Sequence, residues 1–244
     1  MKSVILAAGI ASRLRPLTDN TPKCLLEIGN KTILGRTLDN LLDNGIEDFV
    51  IVTGYLENKI KEFISQNYPA LNVEFIYNEK YDSTNNIYSL WLCKNSVIST
   101  DILLLDSDII FDRRIIPLLL KSNYENCLAV RLSEETNEEE MKVAINNANE
   151  ITNISKNINL NKADGESIGI ERFSNGFVKN LYQILDKMIL AEGKSNIFYE
   201  AAFEEAIENG NLIYAVDVGN YKCIEVDTAE DIDNAEIEII KYLE

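Results

Sequence analysis

Four short stretches of this chain carry residue types that could do chemistry. The first runs Leu6-Ala7-Ala8-Gly9-Ile10-Ala11-Ser12-Arg13-Leu14-Arg15-Pro16-Leu17-Thr18, with Pro22-Lys23 shortly after. Small residues let the backbone approach a ligand, and backbone N–H groups with Arg and Lys hold phosphate oxygens. Three cations, Arg13, Arg15 and Lys23, therefore mark a polyphosphate cradle just beyond the apolar run Val4–Leu6. Two further stretches, Asp106-Ser107-Asp108 and Glu225-Val226-Asp227, each place two acids at the end of an apolar segment. Side chains two apart on a strand point the same way, so each pair offers both carboxylates to one cation. Oxygen-only ligands beside a polyphosphate suit Mg²⁺. The fourth is Lys156, an isolated cation ahead of Gly165-Glu166-Ser167-Ile168-Gly169-Ile170.

Composition narrows the chemistry. The chain has 244 residues, a formal charge of -17 and no histidine. Without histidine there is no Ser-His-Asp or Cys-His nucleophile and none of the usual zinc sets. The acidic balance has the wrong sign for neutralising nucleic-acid phosphates, so no nucleic-acid partner is expected. The four cysteines lie far apart with no C-x-x-C pair. With no signal peptide and no bilayer-length apolar run, the expectation is a cytoplasmic protein with reduced, structural thiols and no membrane insertion.

The elements that must position these groups follow from apolar periodicity. Strands are predicted over 3–6, 48–53, 73–77, 101–105 and 127–132. Helices are predicted over 33–44, 57–67, 84–94 (capped by Ser83 or Thr84) and 113–121. Such alternation predicts an α/β fold: a Rossmann-like, mostly parallel mixed sheet with helices on both faces. Ligands of open α/β sheets bind beyond the carboxyl ends of strands, where the Arg and Lys loop and the Asp106 pair both fall. From 141 to 158, short strand pieces with Asn-rich turns predict a hairpin. Strand 166–173, helices 175–192 and 198–208, strands 213–218 and 222–226, and a last helix from 228 to 242 follow. Residues 134–140 read as a solvated loop or a helix end. One domain is expected, with a nucleotide half over 1–132 and an acceptor half over 133–244 that carries a small β-rich insertion.

The loop fails both G-x-G-x-x-G and G-x-x-x-x-G-K-[ST]. Instead, "LAAGIASRLRPLTDNTPKCLL" over 6–26 resembles the signature of the sugar-nucleotidyltransferase superfamily, L-A-A-G-x-G-[ST]-R-L-x-P-L-T followed by P-K. It departs once, with Ala11 where the second glycine is usual. The resemblance implies transfer of a nucleotidyl group from an NTP to a phosphorylated acceptor, with release of pyrophosphate. It implies that Arg13 and Lys23 hold the triphosphate and that Leu6, Ala7, Ala8, Gly9, Ala11, Ser12, Asn78, Asn85 and Asp106 meet the nucleotide. It also implies metal ligation by Asp108 and Asp227, with Asp106 and Glu225 in support, and an acceptor phosphate on Lys156.

Tyr81-Asp82-Ser83-Thr84-Asn85-Asn86-Ile87-Tyr88-Ser89-Leu90-Trp91 resembles the N-N-x-Y-S-L stretch of bacterial phosphocholine cytidylyltransferases and of relatives using aminoethylphosphonate or inositol phosphate. On that resemblance the substrates are CTP and phosphocholine, then 2-aminoethylphosphonate, with Mg²⁺ as cofactor. Asn86, Tyr88, Glu166, Tyr199 and Glu200 would join Lys156 around the acceptor. A cationic headgroup would want aromatic faces and carboxylates, for which Tyr81, Tyr88, Trp91, Phe173 and Tyr199 are available. A hexose-1-phosphate uridylyl- or thymidylyltransferase and a silent nucleotide-binding homologue stay open as alternatives, as does a homodimer.

Overall fold

A computed structural model describes residues 1–133 and 138–238. The chain begins with β1 (Lys2–Ala7), the phosphate-type loop, and a small hairpin of β2 (Glu27–Ile28) and β3 (Lys31–Thr32). Then come α1 (Ile33–Leu42), β4 (Asp48–Thr53), α2 (Glu57–Asn67) and β5 (Asn72–Tyr77). They are followed by α3 (Asn86–Leu92), α4 (Lys94–Val97), β6 (Ile102–Asp106), β7 (Ile109–Phe111), α5 (Ile115–Leu120) and β8 (Cys127–Leu132). The remainder is β9 (Lys142–Ile145), β10 (Ile151–Ser155), β11 (Gly165–Phe173), α6 (Asn175–Asp186), α7 (Glu200–Glu208), β12 (Tyr214–Asp217), β13 (Cys223–Glu225) and α8 (Ala229–Glu238).

One nine-stranded mixed sheet organises the molecule, in the order β10-β9-β11-β6-β1-β4-β5, with β8 against β11 and β12 against β8. The expected α/β architecture is present. β1 lies between β6 and β4, parallel to both, with Leu6 opposite Asp106 and Ala7 opposite Thr53. That register brings the loop after β1 and the acids after β6 to the same edge. β11 runs antiparallel to β6, so its first half, including Glu166, projects past the carboxyl end of β6 and pairs with β9 instead. The predicted hairpin of β9 and β10 extends this one sheet as its edge rather than forming a layer of its own.

Alternation along β1 buries both faces. Val4 and Leu6 pack towards Leu90, Leu181 and Phe203 of α3, α6 and α7. Ile5 and Ala7 pack towards Leu34, Leu38 and Ile60 of α1 and α2, and Ile115 of α5. A third cluster matters most for function: Leu14, Leu26, Ile28, Ile33, Ile110, Val226 and Ala235 are buried together. It clamps the loop after β1 to β7, β13 and α8, which sequence distance alone would not suggest.

Several boundaries moved for local reasons. α3 starts at Asn86, because the Asn85 side chain accepts from the Asn86 N–H, while Thr84 Oγ1 donates to the Lys80 carbonyl. The run breaks at Cys93 and resumes as α4. β7 was not anticipated from sequence; three apolar residues after a turn give too short a period to read. The last helix is capped by Thr228, whose Oγ1 accepts from the Asp231 N–H while Asp231 accepts from the Thr228 N–H. Positions 239–242 of the predicted helix and 134–137 of the predicted loop lie outside the described residues. No helix among the described residues is long and apolar enough to cross a membrane.

Gly169 sits in the irregular stretch of β11 between Ser167 and Glu171, at φ +72°, and a Cβ there would lie 2.8 Å from both Asp106 Oδ2 and Ile109 Cδ1. Gly169→Ala is expected to cost on the order of 1–3 kcal/mol, as strained backbone does. Thermal unfolding should show a fall in Tm of several degrees.

Candidate active site

A cleft of about 720 Å³ opens at the carboxyl edge of β1 and β6. Leu6, Ala7, Ala8, Gly9, Ala11, Arg13 and Lys23 form one wall, and Asp106, Asp108, Glu225 and Asp227 form the floor. Asn78, Asn85 and Asn86 line the cleft too, as do Lys156, Glu166 and Glu200. Ser12, Tyr88 and Tyr199, also expected in the site, do not line it. Ser12 opens the short 3₁₀ turn Ser12–Leu14. The Tyr88 ring leans on Trp91 at 5.4 Å and under the Lys80 ammonium. Tyr199 is fully buried beneath the floor.

The loop after β1 reaches the floor through an unusual turn. Ala11 adopts left-handed backbone, φ 51° and ψ 51°, at a cost of roughly 1–2 kcal/mol for a residue with a Cβ. Thr18 Oγ1 donates to the Ala11 carbonyl at 2.9 Å and Leu14 is buried, so the surroundings hold the turn.

At the floor, Lys23 Nζ lies 2.7 Å from Asp108 Oδ2 and 2.7 Å from Asp227 Oδ1, and Arg13 Nη2 lies 2.5 Å from Asp227 Oδ2. Burial opposes the charge of Lys23, but Asp108 and Asp227 outweigh it and hold its pKa above the usual lysine value. Burial likewise opposes the charge of Asp227, yet Lys23 and Arg13 hold it below the usual carboxylate range. Two backbone features bring the acids together. β13 pairs with β7, setting Glu225 opposite Ile109, and the Val226 N–H donates to the Asp108 carbonyl at 2.9 Å. Because Thr228 caps α8, the Asp227 carboxylate is left to face the two cations.

Oxygens of Asp108, Glu225 and Asp227 all lie within 4.8 Å of one another. Three hard oxygen donors, with no sulfur or nitrogen among them, fit an ion such as Mg²⁺. Desolvation among the crowded groups of the cleft, then the charges of Asp108 and Asp227, push the Glu225 carboxyl up to about 7. Asp106 does not converge on this cluster as strand alternation predicted. The chain turns at Ser107-Asp108, so the two side chains no longer share a face.

Asp106 instead reaches from the floor to a buried group beneath it. Tyr199 Oη lies 3.1 Å from Asp106 Oδ2 and 3.2 Å from Glu171 Oε1. A hydroxyl donates only one hydrogen, so one of the two carboxyls must carry a proton and donate to the Tyr199 oxygen. Burial, then the charges of neighbouring acids (Asp108, Glu200 and Glu225 on Asp106; Asp106 and Glu200 on Glu171), raises both well above their ordinary values. Glu171 Oε2 has no partner among the described residues.

The asparagines have scaffold roles as well as cleft positions. Asn78 Nδ2 donates to Thr84 Oγ1 and Ser89 Oγ, and Asn86 Oδ1 accepts from the Tyr199 N–H. Glu166 accepts from Arg131 Nη1 at 2.6 Å, and burial lifts its carboxyl to about 6 against that charge. Burial raises Glu200 to about 7. Lys156 Nζ lies 4.7 Å from the Phe198 ring centroid.

Sequence reasoning missed Arg131 and Phe198. Arg131 carries a signal, as a cation closing the apolar strand β8; Phe198 carries none, since nothing in the sequence separates it from its neighbour Tyr199, which is buried. Of the five aromatics first considered, only Tyr81 lines the cleft. Trp91 donates to Asp186 at 2.9 Å on α6, and Phe173 is core. All four cysteines are free and buried, and burial pushes the Cys24 thiol up to about 12 despite adjacent Lys23, so it is no nucleophile.

The nucleotidyl transferase family model matches residues 2–221. The chain belongs to that family. It is 27% identical to the CTP:phosphoglutamine cytidylyltransferase of Campylobacter jejuni, covering 96% of this chain and 98% of the relative. It is 29% identical to the choline-phosphate cytidylyltransferase of Haemophilus influenzae, over 95% and 94%. Its fold matches the solved CTP:phosphocholine cytidylyltransferase of Streptococcus pneumoniae with a TM-score of 0.79, at 24% identity and 97% coverage of each chain. Fold and family thus agree with the resemblance drawn from the opening loop.

Two measurements test the electrostatics of this nucleotidyltransferase site. Lys23→Gln removes the ammonium between two carboxylates; its Tm is expected to fall in chelator and to recover in millimolar Mn²⁺, while the wild type responds less. Glu171 has a folded-state pKa above its unfolded value of about 4.3. Its burial therefore costs nothing at low pH and destabilises increasingly as pH rises through that window. Glu171→Gln is expected to raise Tm by a few degrees at pH 8 and by less at pH 5.

Proposed function

We propose that the protein transfers a cytidylyl group from CTP to a small phosphorylated or phosphonylated acceptor that bears positive charge, phosphocholine or 2-aminoethylphosphonate in type. The observation that carries this reading is the meeting of Arg13, Lys23, Asp108 and Asp227 in a cleft that Lys156 also lines. The similarity to two cytidylyltransferases along nearly the whole chain supports the choice of base. The acids at the acceptor end, Glu166 and Glu200, support a cationic acceptor. Buried free thiols support a cytoplasmic setting.

In the reaction, an anionic oxygen of the acceptor attacks the α-phosphorus of CTP, and the bond from that phosphorus to the bridging oxygen breaks. Pyrophosphate leaves with the electron pair. The nucleophile is already charged near neutral pH, so no base is needed, and catalysis is positioning and charge neutralisation. Arg13 and Lys23 hold the β- and γ-phosphates, which requires Lys23 to leave its two carboxylates. The backbone of Ala8 and Gly9 faces the nucleotide, and Asn78 and Asn85 shape its side of the cleft. Asp108 and Asp227, with Glu225, would hold Mg²⁺. When bound, the ion supplies Lewis-acid stabilisation of the charge developing at the α-phosphate. Lys156 holds the acceptor phosphate and aims its oxygen; residues 1–132 thus serve mainly the nucleotide and 133–244 mainly the acceptor.

Pyrophosphate release should be measured for CTP, UTP and dTTP against phosphocholine, 2-aminoethylphosphonate and glucose 1-phosphate. CTP with a cationic acceptor is expected to win. Preference for UTP or dTTP with the sugar phosphate, or nucleotide binding without any turnover, would overturn the proposal. Asp108→Asn and Asp227→Asn should each lower kcat by on the order of 10²-fold or more, the scale of losing one charge-stabilising contact. Lys156→Ala should raise the acceptor KM while leaving that for CTP unchanged.

A further inference from the structure

We infer that the acceptor ends in an ammonium group that carries hydrogen rather than a quaternary one, and that Glu200 selects it. This rests on the transfer reading above and asks which cation the acceptor half of the cleft is built to hold.

Glu200 is the first residue of α7 and lines the cleft, yet it is only 6% exposed. Its Oε2 is buried with no hydrogen-bond partner among the described residues. A buried carboxylate oxygen left unsatisfied costs roughly 1–3 kcal/mol or more, so such groups in native folds have a partner or await one. Neighbouring cations do not meet the need. Arg131 is committed to Glu166 at 2.6 Å and to the Cys223 carbonyl at 2.8 Å. The Lys156 ammonium rests over the Phe198 ring; its charge favours the Glu200 carboxylate from a distance but supplies no hydrogen bond to Oε2.

Aromatic surface points the same way. A quaternary ammonium has no N–H to offer and is held by several aromatic faces. Among the described residues the cleft shows only Tyr81 and Phe198, and Lys156 already covers the Phe198 face. Tyr88, Trp91 and Tyr199 are turned away from the cleft or buried below it. A hydrogen-bearing ammonium supplies what the orphaned Glu200 oxygen lacks: a charged N–H donor, in a charge-assisted bond about twice as strong as a neutral one.

The test uses the full chain with CTP and Mg²⁺ and a graded series: phosphoethanolamine, its N-methyl and N,N-dimethyl forms, and phosphocholine. Wild-type kcat/KM is expected to drop at least tenfold between the dimethyl and trimethyl members, where the last N–H is lost. Glu200→Gln should erase most of that step, chiefly through KM for the hydrogen-bearing acceptors, with KM for CTP unchanged; Glu200→Asp should restore part of it. Circular dichroism and Tm check that the variants fold. Phosphocholine turned over as well as the dimethyl compound, or a step that persists in Glu200→Gln, overturns the inference alone. No turnover with any member overturns the transfer reading and the inference with it.

Discussion

The structure depends on one partly buried meeting of opposite charges. Lys23 reaches Asp108 across 85 residues of sequence and Asp227 across 204, at 2.7 Å each. Taking an ammonium and two carboxylates partly out of water is costly, and the attraction offsets that cost only when geometry is good and partners are complete. Here the geometry is held by apolar packing rather than by the charges themselves. Leu14 and Leu26 from the loop, Ile110 from β7, Val226 beyond β13 and Ala235 from α8 share one buried cluster directly around the ionic group. A hydrophobic clamp sets the position, and the charges specify which side chains occupy it.

The rest of the site follows from where strands end. β1 and β6 are parallel neighbours in register, so their carboxyl ends deliver a phosphate-type loop and an acidic turn to the same edge. β11, running the opposite way, overshoots β6 and carries Glu166 over that edge. Beneath the cleft, Tyr199 bridges Asp106 and Glu171, and the shared proton lets two acids sit together in the core without full charge. Surplus acid is therefore graded by depth: protonated below the floor, ionic at the floor where Lys23 and Arg13 answer it, and partly unanswered at the acceptor side.

Much of this was legible from residue order. The boundaries of β4, α2 and β8 match the periodicity directly, because each is a run of five to seven residues or more with a clean apolar pattern and a punctuating Gly, Pro or polar residue. The loop cations and the acids of the floor were readable because charged residues directly after apolar strands are conspicuous. β7 was not legible, and it is the strand that docks Glu225 and Asp227 against Asp108. Nor was the turn at Ser107, which sends Asp106 down to Tyr199 and Asp108 up to Lys23.

Sequence by itself determined most of the longer strands and helices, the two-sided burial of the sheet and the kinds of charge at its edge, because these depend on interactions within a few residues. Tertiary structure alone decided which carboxylates meet, Asp108 with Glu225 and Asp227 rather than with Asp106. It also decided which aromatics reach the cleft, Tyr81 and Phe198 rather than Tyr88, Trp91 and Tyr199. The reason is physical: partner choice among distant side chains is set by strand register and the direction of single turns, and a shift of one residue in either sends a side chain to the opposite face.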